Sequence, residues 1–181
     1  MNMEEKTIHK KKIFEGKIIE LDVHEVELPD GKKSKREIIT HPGAVAVIAR
    51  NAAGKIIMVK QYRKALEKHL VEIPAGKLEK GEDARSSAAR ELEEETGYKA
   101  KTFDYLQSFY TSPGFADEIV YLFEAGSLYE GSAGTDEDEF VDVIEVDLKE
   151  AQAMIENEEI HDAKTVFAIQ YLLLKERDSF K

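Results

Sequence analysis

The sequence predicts an α+β fold with an antiparallel sheet at its N-terminal end. Strand-like runs crowd the stretch from Lys17 to Arg63, helical signatures first appear after Gly81, and no regular alternation of strand and helix sets up a doubly wound parallel sheet.

The elements follow in order. KIIELDVHEVEL from Lys17, the Pro29-Asp30-Gly31 turn and KREIIT read as antiparallel strands, and AVAVIA follows Pro42-Gly43. A turn over 51–54 leads into KIIMVKQYR, so AVAVIA and KIIMVKQY are expected to pair as a second hairpin. Asp83 to Thr96 is rich in helix formers, acidic near its start, and followed by Gly97, which suits the left-handed position just past a helix. Strands are expected again at TFDYLQSFY and EIVYLFEAG, separated by TSPGFAD, and at FVDVIEVDL after an acidic loop. Asp147 with Glu150 resembles a capping box for a helix reaching about Glu156. Asp162 can cap a last helix that places Val166, Ile169, Tyr171, Leu172 and Leu173 with helical spacing. Residues 1–42 are expected to form a small β region of their own and residues 43–181 the main domain.

Composition narrows the function. A chain of 181 residues, 42% hydrophobic and 8% aromatic, is long enough to bury a core without staples. Its 26 basic and 37 acidic residues give a net charge of −11, which opposes binding to a nucleic acid polymer yet admits a small phosphorylated ligand if a divalent cation neutralises charge locally. Zero cysteines remove disulfides, thiolate nucleophiles and thiolate metal sites, and fit a cytoplasmic protein. The segment MNMEEKTIHKKKIF lacks the apolar core of a signal peptide, and no apolar run is long enough to span a bilayer, so no membrane association is expected. The five histidines lack ligand spacing, and none is assigned to metal.

The chemistry concentrates in GKLEKGEDARSSAARELEEETGY, residues 76–98. On a helix, Glu91, Glu94 and Glu95 at i, i+3 and i+4 share one face. Hard oxygens so clustered suit Mg²⁺, with Mn²⁺ as a substitute. A Glu-rich helix alone is most often a solvated face, and the spacing around it decides otherwise. Gly76, Glu82, Arg90, Glu91, Leu92, Glu94, Glu95 and Gly97 match G-x5-E-x7-R-E-U-x-E-E-x-G, with an accidental frequency on the order of one in 10⁵ to 10⁶. Gly76 and Gly97 permit the loop entry and the helix stop, Arg90 can brace the acids, and Glu82 reads as structural.

This pattern is the Nudix box, and on these residues the chain resembles the Nudix hydrolases, with Tyr98 standing where an aliphatic residue is commoner. The resemblance implies the Nudix fold, mixed β-sheets sandwiched between helices, and metal-assisted cleavage of a nucleoside diphosphate linked to another group. Beyond the box, HPGAVAV, KQYR, VEIPAGKLEKGE, TSPGFADE with Pro113, and DEDEFVDV fall in the order seen in the bacterial ADP-ribose pyrophosphatases. That similarity implies metal ligation by the carbonyl of Ala75 and by Glu91 and Glu95, with Glu94 completing the cluster. It places the general base on the late acidic loop, at Glu137 with Glu139 as second choice, where a carboxylate not committed to metal can accept a proton. It brings Arg36, Glu37 and Arg63 to the nucleotide and Ser112, Gly114 and Glu118 to the terminal ribose. It also implies a homodimer with swapped N-terminal strands. Another nucleoside diphosphate derivative as substrate, or a non-catalytic sensor of ADP-ribose-like ligands, are the alternatives.

Overall fold

The first hairpin closes at the turn that the sequence marks: Leu28 N–H donates to Lys32 O at 2.7 Å and Gly31 N–H to Leu28 O at 2.9 Å. In the computed structural model, which describes residues 2–132, 134 and 140–178, this hairpin belongs to the first of two units, Met1–Gly43 together with Phe109–Ile119. Its strands β1 (Lys6–Glu15), β2 (Glu20–Glu27) and β3 (Lys33–Thr40) form an antiparallel sheet in the order β1-β2-β3, with Lys10 opposite His24 and His24 opposite Arg36. Asp22 is wholly buried on the central strand and meets Lys10 Nζ at 2.8 Å. β1 was not foreseen. Its lysine-rich KTIHKKKIFE is exposed throughout and lacks an apolar alternation, so backbone pairing alone defines it as a strand. Within the same unit, Ile39 N–H donates to Phe115 O at 2.7 Å and Asp117 N–H to Ile39 O at 3.2 Å, bridging β3 to the 109–119 segment.

The second unit comprises Ala44–Ser108 and Val120–Lys181. Its elements are β4 (Ala44–Ala49), β5 (Ile56–Arg63), β6 (Lys68–Glu72), β7 (Ala75–Lys77), α1 (Ala84–Thr96), β8 (Tyr98–Tyr110), β9 (Ile119–Glu130), β10 (Val141–Val146), α2 (Leu148–Glu156) and α3 (Ala163–Asp178), the ends of β8 and β9 reaching into the first unit. A mixed sheet runs β7-β4-β9-β8, with β4 parallel to β9 and antiparallel to β7, and a second, antiparallel sheet runs β10-β5-β6.

The expected β4/β5 hairpin is corrected here. The turn exists, since Asn51 N–H donates to Lys55 O at 2.9 Å and Arg50 bridges Ile56, but the strands then part into different sheets. Five of the six residues of β4 and the first four of β5 are buried, so each strand satisfies its backbone within a covered sheet.

Strand alternation fixes where the helices lie. Val45, Val47 and Ala49 of β4 and Phe123 and Ala125 of β9 share a core with Ala88 and Leu92 of α1. Glu124, between the last pair, accepts from Lys175 of α3 at 2.6 and 2.8 Å. Successive side chains point to opposite faces of a strand, so α1 and α3 cover opposite faces of the mixed sheet. Thr165, Ala168, Ile169 and Leu172 form the buried stripe of α3. Among the described residues no helix is long and apolar enough to cross a membrane.

Candidate active site

The helix expected from Asp83 to Thr96 forms with its ends capped. Asp83 accepts from the Ser86 N–H at 3.0 Å and the Ser86 hydroxyl at 2.8 Å. Gly97 adopts φ 73° and donates to Glu93 O at 2.8 Å, a left-handed stop that other residues enter at a cost. Between these caps Glu91 and Glu95 are buried while Glu94 is partly exposed.

β7 supplies the facing backbone. Ala75 N–H donates to Glu95 Oε2 at 2.9 Å. Gly76 lies so close to Glu91 that a Cβ there would stand 1.9 Å from its Cδ and 2.1 Å from both oxygens, so only glycine admits the Glu91 carboxylate at this strand. β7 is anchored through Val45 opposite Gly76 and Ala46 opposite Ala75.

Arg90 braces the acids. Its Nη1 donates to Glu91 Oε1 at 2.8 Å and to Glu94 Oε2 at 2.9 Å, while Nε and Nη2 grip Glu82 at 3.1 and 3.0 Å. The bond from Arg90 chiefly, helped by the Glu79 N–H, holds the Glu82 carboxyl down at about 2, and these carboxylates in turn raise the Arg90 guanidinium above its ordinary range. The Arg90 guanidinium thus stands among three carboxylates, Glu82, Glu91 and Glu94. Among the described residues no carboxylates and imidazoles yet stand as a ready-made cation cage, because Glu91 and Glu94 turn to Arg90 and Glu95 to Ala75. The donors nonetheless fit a hard divalent cation: all are oxygens, two are buried carboxylates, and the Gly76 cradle brings one of them against backbone.

Residues 131, 132 and 134, ahead of the acidic stretch, bond to the end of this helix. Gly131 N–H donates to Gly97 O at 2.7 Å, Ser132 N–H to Glu93 Oε1 at 3.2 Å, and Gly134 N–H to Glu94 O at 3.2 Å. Glu137 and Glu139 themselves lie outside the described residues.

Arg63, also in the second unit, makes a fork to Glu72, with Nε to Oε1 at 2.6 Å and Nη2 to Oε2 at 2.7 Å. Lys164 bonds the same carboxylate and reaches Asp162 at 2.8 Å. Burial alone would push the Glu72 carboxyl up, but Arg63 and Lys164 outweigh it and hold it at about 2. Glu72 and Lys164 were missed. The available signal was a lone carboxylate inside the apolar VEIP run, which must be paired if that strand is buried.

The remaining candidates fall in the first unit. Arg36 donates from Nε and Nη2 to Glu5 at 2.9 and 2.6 Å, and Glu37 is exposed beside it. Ser112 turns the 109–119 segment by accepting from Phe115 and Ala116 N–H at 3.1 and 2.9 Å, and Gly114 is exposed. Glu118 accepts the Thr111 hydroxyl, and His41 Nε2 lies 3.8 Å from its Oε1. The structure therefore brings together Ala75, Gly76, Glu82, Arg90, Glu91, Glu94 and Glu95, keeps Arg63 in their unit, and carries Arg36, Glu37, Ser112, Gly114 and Glu118 on the other.

Comparison with known proteins adds the lineage. The NUDIX domain model matches residues 40–168, and the model of the nucleoside diphosphate sugar hydrolase N-terminal domain matches residues 5–39. An ADP-ribose pyrophosphatase of Bacillus subtilis (strain 168) is 62% identical over 97% of this chain and 96% of its own. A methanol dehydrogenase activator of Bacillus methanolicus is 61% identical over 96% of this chain and 95% of its own. A crystal structure of an ADP compounds hydrolase superposes with a TM-score of 0.87 at 18% identity, covering 99% of this chain and 98% of that one, a likeness of fold. The helix that carries Glu91, Glu94 and Glu95 lies inside the first matched segment, and on the extent of that match the chain belongs to the Nudix family.

Proposed function

We propose that this chain hydrolyses the diphosphate of ADP-ribose to AMP and ribose 5-phosphate. The observation that carries this reading is the 62% identity to an ADP-ribose pyrophosphatase over nearly the whole of both chains, joined to an intact set of box glutamates. The reaction adds the oxygen of one water to a phosphorus, breaks the bridging P–O bond and gives up the two protons of that water, to the medium or to the phosphate products. Glu91, Glu94 and Glu95, with the Ala75 carbonyl, are the residues to hold Mg²⁺. When bound, the cation neutralises the diphosphate and polarises phosphorus.

The chain's own groups do the rest. Arg90 keeps the carboxylates together between turnovers by offsetting their mutual repulsion. Glu137, with Glu139 as the other choice, takes the proton of the attacking water. Support comes from Gly131, Ser132 and Gly134, which precede the acidic stretch in the chain and bond to the end of α1, the helix that carries Glu91, Glu94 and Glu95. Arg36, Glu37 and Arg63 bind the nucleotide, and Ser112, Gly114 and Glu118 the terminal ribose. The working form is a cytoplasmic homodimer built through residues 1–42, a reading supported by β1, an edge strand exposed along its length with Ile8, Ile13 and Phe14 outward.

Chromatographic product analysis with Mg²⁺ and ADP-ribose, beside GDP-mannose, a diadenosine polyphosphate and 8-oxo-dGTP, tests the substrate. AMP and ribose 5-phosphate should form fastest from ADP-ribose. Faster cleavage of GDP-mannose would favour a nucleotide sugar, which the match over residues 5–39 makes the second reading. Bound nucleotide without turnover of any substrate would leave a sensor. The relative of Bacillus methanolicus adds one arm, a methanol dehydrogenase assay with and without the chain.

A further inference from the structure

Glu72 is 1% exposed, deeper than any of the box glutamates, and no step of the hydrolysis uses it directly. A carboxylate this buried persists only if its charge is met. It is met twice, by the Arg63 fork and by Lys164 at the start of α3, where Thr165 Oγ1 also accepts the Ile73 N–H at 3.0 Å. Asp162, at 2.8 Å from Lys164 Nζ, brings the group to two positive and two negative charges.

The geometry of the fork matters more than its charge. Nε and Nη2 of Arg63 are engaged by Glu72, which fixes the guanidinium plane and leaves Nη1 outside the fork. The Arg63 side chain remains 40% exposed although its partner is buried, so the brace holds it from beneath. The same guanidinium lies within the field of Glu95. A long, flexible cation is thereby held in one orientation, within the field of one of the carboxylates that would hold metal.

We propose that Glu72 is a positioning residue, one that sets the Arg63 guanidinium to receive the anionic oxygens of the nucleotide diphosphate. The proposal rests on the reading of Arg63 as a substrate contact. Fixing the side chain in advance lowers the ordering cost of binding, so its loss shows in affinity more than in the chemical step. A tether that merely fastened α3 to β6 would show in stability alone.

The test is a double-mutant cycle of Glu72→Gln and Arg63→Ala on the full chain with ADP-ribose and Mg²⁺. Glu72→Gln keeps the volume but removes the charge and one acceptor of the fork. KM should rise by roughly tenfold and kcat change by less than about threefold, and the substitution should add nothing further in the Arg63→Ala background. An unchanged KM, or a rise that persists in full without Arg63, overturns the proposal. A second readout is independent of activity: ¹⁵N relaxation of the Arg63 Nε–H should report a rigid group in the wild type and a mobile one in Glu72→Gln, and equal rigidity counts against it. If Glu72→Gln fails to fold, Arg63→Lys replaces it, keeping the charge without the fork. Lysine should then be as poor as alanine in KM, and a lysine as good as arginine overturns the proposal. If the wild type leaves ADP-ribose intact, the functional reading falls by itself. The same cycle is then read on calorimetric binding of ADP with Ca²⁺, where Glu72→Gln should weaken affinity only while Arg63 is present, and no weakening overturns the proposal.

Discussion

Glu95 is buried at 5% exposure and bonded to the Ala75 N–H, so its carboxylate serves the helix–strand contact as well as the proposed metal. Glu95→Gln retains an amide oxygen for that N–H but loses the charge. Turnover of ADP-ribose should fall on the order of 10²-fold or more and the Mg²⁺ requirement should weaken, with little change in circular dichroism. Near-normal turnover would remove Glu95 from the metal set. Glu137→Gln separates the roles: Mg²⁺ affinity measured by calorimetry should hold while kcat drops, and an unchanged kcat would transfer the proton acceptor to Glu139. Acid tests another carboxylate. Glu72 is held at about 2 against an ordinary 4.5, so it binds a proton less readily folded than unfolded. Its stabilisation is complete above about pH 4.5 and is lost as pH falls toward 2. Thermal melts over that window should decline in the wild type and decline less steeply in Glu72→Gln; parallel slopes would show the pairing does not carry the linkage. The box residues were legible in the sequence because spacing on a helix converts directly into a shared face. Glu72 and Lys164 were not, because 92 residues separate them and only the packing of α3 on β6 joins them.

Helix α1 illustrates how much of an element is local. Asp83, Thr96 and Gly97 were legible as its limits because capping and the left-handed stop are properties of adjacent residues. Removing the cap by Asp83→Ala should lower the midpoint of urea unfolding, because the Ser86 N–H loses its acceptor. ADP-ribose turnover should be nearly unaffected, since the glutamates sit two turns or more from the cap. A large loss of activity would mean that the helix start is coupled to the site. α2 and α3 were legible for the same reason, with Asp147 and Asp162 each accepting an N–H three residues on. The strands were harder. AVAVIA and KIIMVKQYR read correctly as strands, but their partners are set by layers rather than by proximity, and Arg50–Ile56 is the one bridge the turn between them retains among the described pairings. The short Ala75–Lys77 strand escaped notice because three residues carry no period, although it brings Gly76 against Glu91.

Across the whole molecule, the net charge of −11 makes cation binding a stability question. Glu91 and Glu94 share the Arg90 guanidinium, and Glu95 lies one residue from Glu94 on the same helix face, so a further cation there lowers the mutual repulsion of the three. A divalent cation that binds the folded chain and not the unfolded one adds RT ln(1 + [L]/Kd), about 2.7 kcal/mol when the free cation is 100-fold above its Kd. Melting temperature should therefore climb with Mg²⁺ at constant ionic strength and return to its starting value with EDTA. General screening of the acidic surface would also raise it, and a matched concentration of NaCl isolates that part. The specific part should vanish in Glu91→Gln/Glu95→Gln, which by itself should melt near or above the metal-free wild type because two repelling charges have gone. If instead the double variant keeps the full Mg²⁺ response, the cation binds elsewhere on the acidic surface, and the helix face at Gly76 is a braced ion-pair cluster without a metal role.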